Sequence, residues 1–139
     1  MRRLALLFGA GVLSLAASLP LLAQGTAGKG VPPKGPLNTL DDIKLALRGC
    51  WKWPPINEIQ TGMELTVLLS FKRNGEVFGA RITYESANVS PKERAVYHGV
   101  LLEALKLCSP LPVTDSLGSA IAGKPMRFRF NDNRLQRKA

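Results

Sequence analysis

Few residues of this 139-residue chain could act as catalytic or metal-binding groups, because it contains one histidine and two cysteines. His98, Cys50 and Cys108 together fall short of a four-ligand metal site. The sequence has no Ser/His/Asp order around a nucleophile motif and no glycine-rich phosphate loop after a strand. We therefore expect a protein that is not an enzyme and that carries no cofactor or metal.

Acidic residues are also scarce. Ten aspartates and glutamates stand against 19 lysines and arginines, which gives a formal net charge of +9. Such a charge favours acidic proteins, anionic lipid or nucleic acid as partners, although solvated surface charge is the simpler interpretation. An exported protein rarely meets nucleic acid, so export would remove it from the expected partners.

The first 23 residues have the three parts of a secretory signal peptide. Arg2 and Arg3 give a basic start, residues 4–22 are uncharged and largely apolar, and Ala23 is a small residue at a plausible cleavage point. We predict residues 1–23 as a signal peptide. The apolar stretch is nearly as long as a spanning helix of roughly 20 residues, so an uncleaved anchor is the alternative. Either way the remaining chain lies outside the cytoplasm.

The rest of the chain divides into a linker, one domain and a tail. Residues 24–37 are dominated by glycine and proline without apolar periodicity, which predicts a linker or a disordered mature N-terminus. Residues 38–131 carry the periodic segments of one small domain. Residues 132–139 are polar and basic, which is typical of a frayed tail.

Apolar periodicity indicates an α+β domain with the order α-β-β-α-β. One three-stranded antiparallel sheet packed by two helices would bury every apolar stripe. Residues 113–123 are expected to be loop with at most one short turn. The predicted elements are a helix over 39–49, strands over 64–72 and 76–85, a helix after Ser90 and a strand over 126–130.

Short motifs predict how these elements begin and turn. Asn74-Gly75 predicts a type I′ hairpin turn, in which both central residues need positive φ. Ser90 and Glu93 form a capping box, in which Ser90 accepts from the Glu93 amide and Glu93 reaches back to the Ser90 amide. The second strand is expected to bury one apolar face, formed by Phe78, Ala80, Ile82 and Tyr84.

Cys50 and Cys108 follow the first helix and end the second. Two cysteines at the ends of elements in an exported protein predict a disulfide. The absence of a Cys-x-x-Cys motif argues against a redox-active pair. Trp51 and Trp53 precede two prolines. These tryptophans either fill the edge of the core, which is the simpler interpretation, or form an exposed aromatic binding platform.

The order of several motifs resembles that of the C-terminal domains of TonB and TolA, the periplasmic ends of cell-envelope energy transducers. Cys50-Trp51 with Pro54 precedes a strand that ends in Arg73-Asn74-Gly75. A second strand, an alanine-containing helix, Cys108 with Pro110 and Pro112, and a Phe-x-Phe strand follow. The resemblance covers roughly residues 38–131.

This resemblance implies a periplasmic, non-catalytic binding module that recognises an envelope protein or peptide by pairing at a sheet edge. The resemblance also allows a homodimer, because sheets of this family can pair between chains. This chain differs from TonB and TolA in its short linker. The short linker argues against energy transduction even if the chain stays anchored in the inner membrane. The implied partner-binding residues are Met126, Arg127, Phe128, Arg129 and Phe130.

A third hypothesis assigns a ligand to the basic C-terminal surface. Anionic lipid or polysaccharide would bind it weakly, and the binding would fall with salt. The residues of this surface are Arg127, Arg129, Arg134, Arg137 and Lys138.

Overall fold

A computed structural model describes residues 28–136 of the chain. The predicted signal peptide, residues 1–23, and the end of the basic tail, residues 137–139, lie outside this part. Among the described residues, no helix is both long and apolar enough to cross a membrane. The elements are α1 Leu40–Cys50, β1 Glu64–Phe71, β2 Val77–Glu85, α2 Pro91–Leu107, α3 Asp115–Ile121 and β3 Met126–Asn131, with a 3-10 turn at Ile56–Glu58.

The three strands form one antiparallel sheet in the order β2-β1-β3, which confirms the predicted α+β domain. The central strand β1 buries one face completely, because its apolar residues recur at every second position. In β3, Phe128 and Phe130 face the core while Arg127 and Arg129 are exposed. The fully buried residues of β1 are Leu65, Val67, Leu69 and Phe71.

The apolar face predicted for β2 is wrong at Phe78 and Tyr84, and Ala80 is also exposed. The register with β1 skips Phe78 and Thr83, which are the extra residues of two β-bulges. Each bulge shifts the alternation by one residue, so Tyr84 lies opposite Thr66. Phe78 and Tyr84 are 69% and 52% exposed.

The hairpin at Asn74-Gly75 forms with a different turn from the one predicted. Gly75 has a φ of 89°, whereas no residue other than glycine has positive φ among residues 28–136. The Gly75 amide donates to the Lys72 carbonyl, and the Lys72 amide donates to the Glu76 carbonyl. This pattern is a three-residue connection, in which a type I turn is followed by a left-handed glycine.

The second half of the capping box predicted at the start of α2 is wrong. Ser90 accepts from the Glu93 amide as expected. The Glu93 carboxylate is buried and accepts instead from the backbone amides of Thr61 and Gly62, at 3.2 and 2.9 Å. It therefore holds the loop before β1 against the first turn of α2.

Two segments predicted to be irregular are part of the packed fold. The expected loop over residues 113–123 contains α3, which Thr114 caps and which buries Leu117 and Ile121. Residues 28–37 are not a free linker, because the Val31 amide donates to Gly49 and Leu37 exchanges backbone bonds with the 112–114 segment. The folded part consequently begins before residue 38.

The predicted disulfide joins Cys50 at the end of α1 to Cys108 just after α2. Both cysteines are buried. The crosslink closes a separation of 58 residues. It restricts the unfolded chain and ties together two helices that meet each other at few other points.

Replacing Cys50 and Cys108 together by alanine should lower the free energy of unfolding by about 4 kcal/mol, the loop-closure entropy for a loop of this length. Urea unfolding under non-reducing conditions measures the change. As the control, a reductant should destabilise the wild type by a similar amount and leave the double variant unaffected. An equal effect of the reductant on both proteins would contradict a stabilising disulfide.

Candidate binding edge of the sheet

The five residues predicted to bind a partner, Met126 to Phe130, lie together on β3, which is an outer strand of the sheet. Its pairing with β1 is regular from Met126 to Asn131. Among residues 28–136, β3 has no neighbour on its other side. The strand therefore presents one unpaired backbone edge.

The phase of the ladder identifies which backbone groups are unpaired. The Asp132 amide donates to the Met63 carbonyl, and the Ser86 amide donates to the Glu64 carbonyl. Since backbone groups alternate in direction along a strand, residues 126, 128 and 130 bond to β1. The amides and carbonyls of Arg127, Arg129 and Asn131 consequently point to the free edge.

A groove of about 390 Å³ lies between this edge and α1. Lys44, Leu47 and Arg48 line it from the helix, and residues 127–130 line it from the strand. A second hollow of about 380 Å³ shares Arg48, Arg129 and Phe130 with the groove and continues to Trp51 and Trp53. The two hollows form a continuous basic and aromatic surface beside β3, which we call the β3 groove.

All charged residues that line the β3 groove are basic. Lys44 pairs with Asp41 at 3.5 Å and Arg129 pairs with Glu64 at 3.2 Å, both on the exposed surface. In the described part of the chain, no carboxylate lies within salt-bridge distance of Arg48 or Arg127. The groove therefore carries uncompensated positive charge.

The two tryptophans take different positions. Trp51 is buried and stacks on Phe130, with ring centroids 4.8 Å apart, which confirms the core interpretation for this residue. Its indole nitrogen has no acceptor among residues 28–136. Trp53 is half-buried, and the Arg134 guanidinium lies 5.1 Å from its ring centroid. This cation–π contact places part of Trp53 at the rim of the groove.

A buried carboxylate fixes the segment that follows β3. Asp132 is 1% exposed and accepts from the Tyr97 hydroxyl at 2.8 Å and from two Arg134 nitrogens at 2.8 and 2.7 Å. Arg134 also donates to the Pro54 carbonyl. Residues 132–136 are therefore not a frayed tail, and Arg134 is not part of a free basic surface. Arg137 and Lys138 of that hypothesis lie outside the described residues.

Both acids of this cluster have shifted pKa values. Burial raises the pKa of Asp132, but hydrogen bonds from Arg134 and Tyr97 outweigh it, and the net pKa is lower than 3.8. Burial and the hydrogen bond to Asp132 raise the pKa of Tyr97 above its ordinary 10.0. The folded state thus favours a charged Asp132 and a neutral Tyr97.

His98 lies on α2, half-exposed, and contacts the Glu85 carboxylate, which also pairs with Arg94. Burial of Glu85 opposes ionisation, yet the hydrogen bonds from His98 and Arg94 leave its pKa lower than usual. Among residues 28–136, no group of His, Cys, Asp and Glu could hold a metal ion. Sequence reasoning missed the Glu85 contacts, because the strand-end glutamate and the helix meet only through the fold.

The cluster of Asp132 and Tyr97 should make stability depend on pH at both extremes. Below about pH 4 the unfolded aspartate binds a proton before the folded one, so the free energy of unfolding should fall. Above about pH 10 only the unfolded tyrosine ionises, so the free energy of unfolding should fall again. Tyr97→Phe should cost about 2 kcal/mol at neutral pH and remove the alkaline loss that Tyr97 causes.

Urea unfolding at a series of pH values measures these effects, and Tyr84→Phe is the matched control because Tyr84 is half-exposed. If Tyr97→Phe loses stability above pH 10 as steeply as the wild type, the buried phenol is not the source.

One protein family, described as uncharacterised conserved protein UCP034077, matches residues 33–134, the larger part of the chain. The match begins within the packed 28–37 segment and ends at Arg134, so it spans every helix and strand of the described residues. No curated protein and no solved structure matches the chain.

Proposed function

We propose that this chain, which belongs to the family of uncharacterised conserved protein UCP034077, is a non-catalytic binding module that pairs an extended segment of an envelope protein to β3. The supporting observation is the edge of β3, where the backbone groups of Arg127, Arg129 and Asn131 are unpaired. A strand edge of this kind is a ready template for strand addition. The resemblance of its motif order to that of TonB and TolA C-terminal domains supports the same proposal.

The surroundings of the edge suit a peptide better than a small substrate. The β3 groove runs beside the strand and is open, and it is lined by aromatic and basic side chains. A paired segment would gain main-chain hydrogen bonds from the edge and side-chain contacts from the groove. Neither hollow brings together an acid and a base that could exchange a proton with a substrate.

The proposed compartment is the periplasm. The basic and apolar pattern of residues 1–23 supports export, and the Cys50–Cys108 disulfide suits an oxidising compartment. An uncleaved inner-membrane anchor is the alternative. N-terminal sequencing of the mature protein separates them, because a start at Gln24 implies release and an intact N-terminus implies an anchor.

Arg129→Pro tests the pairing at the edge. Proline removes one amide that points away from β1, so the sheet should tolerate it as it tolerates other edge prolines. Affinity for a peptide selected against the wild type from a phage-displayed random library should fall roughly tenfold, the free energy of about one lost main-chain hydrogen bond. Circular dichroism checks that the domain stays folded.

The matched control is Arg129→Ala, which removes the same charge and keeps the amide. In addition, the amides of Arg127, Arg129 and Asn131 should gain protection from hydrogen exchange when the selected peptide binds. Unchanged exchange at these amides, together with equal affinities of the proline and alanine variants, would rule out pairing at β3.

A further inference from the structure

We infer that the segment received by β3 is acidic, with carboxylates on both of its faces. This inference rests on the proposed pairing and specifies the chemistry of the partner. It follows from where the basic residues lie relative to the edge. Successive side chains of a strand point to opposite faces of the sheet, so an added strand would meet two different surroundings.

On the core-facing side, the added strand would lie beside α1. Lys44 and Arg48 line the β3 groove from that helix. On the other side it would lie beside Arg127 and Arg129, because they alternate with the buried Phe128 and Phe130. Each face of the added strand therefore meets two basic side chains and no acidic lining residue.

The existing ion pairs leave this charge available. Arg129 is 72% exposed where it pairs with Glu64, and Lys44 is 56% exposed where it pairs with Asp41. Exposed pairs of this kind contribute little and exchange partners readily. Arg48 and Arg127 have no carboxylate partner in the described range. Partner carboxylates would thus add ion pairs and break no strong one.

The same charges argue against a second copy of this chain as the occupant. In an antiparallel pair of two β3 strands about a central twofold axis at Phe128, Arg127 of one copy would lie opposite Arg129 of the other. Like charges directly opposite each other in a sheet are destabilising. An acidic segment of another protein avoids this repulsion.

The experiment compares three synthetic peptides of equal length, built from valine and threonine with glutamate, glutamine or lysine at every third position, so that the variable residue falls on both faces. Fluorescence anisotropy measures their affinities at low and high salt. We expect the glutamate peptide to bind roughly tenfold more tightly than the glutamine peptide, as two added surface ion pairs allow. The lysine peptide should bind most weakly. The preference should shrink in high salt.

The variant R48Q/R127Q should remove most of the preference for the glutamate peptide over the glutamine peptide. The matched control is K92Q/K106Q, which removes the same charge from exposed positions on α2 and should keep the preference. Equal loss in both double variants would show a general charge effect and overturn the assignment to the groove.

The outcomes separate this inference from the proposed function. If the glutamate and glutamine peptides bind equally and both protect the amides of Arg127, Arg129 and Asn131, edge pairing stands and the acidic partner is wrong. If no peptide protects these amides at millimolar concentration, both fail. Tight binding of phosphatidylglycerol vesicles with no such protection would also overturn both, in favour of an anionic lipid surface.

Discussion

The Asp132 carboxylate joins three parts of the chain at one buried point. Through Tyr97 it reaches α2, and through Arg134 it reaches the Pro54 carbonyl and the ring of Trp53. A buried charge is tolerated only when it is paired and hydrogen-bonded, and here three side-chain donor atoms and one backbone amide satisfy it. The C-terminal end of β3, which borders the proposed binding edge, is thereby fixed to the helix layer and to the aromatic loop after α1.

Contacts on its core face and at its C-terminal end explain how β3 can be an exposed edge strand and still be ordered. One face of β3 is held by Phe128 and Phe130, and Trp51 stacks on the second of these rings. The disulfide anchors the start of the tryptophan loop to the end of α2. Because the strand is held from its core face and from its end, it is ordered although its outer backbone edge is unpaired among residues 28–136. A preformed edge of this kind loses little conformational entropy when it binds.

The sequence predicted the elements whose signals are local. Ser90 was identified as a cap from Glu93, and alternating apolar residues predicted β1 and β3 close to their observed bounds. The predictions were wrong where contacts with a distant segment determine the local structure. Glu93 turned to the 61–62 loop, the Gly/Pro-rich segment packed along α1 and Pro112, and two bulges displaced Phe78 and Tyr84 in β2. The β3 groove combines a helix and a strand about 80 residues apart in the chain, so its shape could not be predicted from periodicity. The outward position of Arg127 and Arg129 on the strand could be predicted, because it follows from the alternation of β3.

The bulges of β2 bear on the stoichiometry of the proposed complex. A three-stranded sheet has two outer edges, and an unselective sheet could recruit a strand at each and grow into a polymer. Irregular pairing at Phe78 and Thr83 twists the β2 edge, and bulged edges are poor templates for a further strand. The regular ladder is confined to the β3 side, so one molecule is suited to hold one partner chain. The asymmetry of the sheet would thus make the proposed module monovalent, so that it binds one partner strand and does not extend into a polymer.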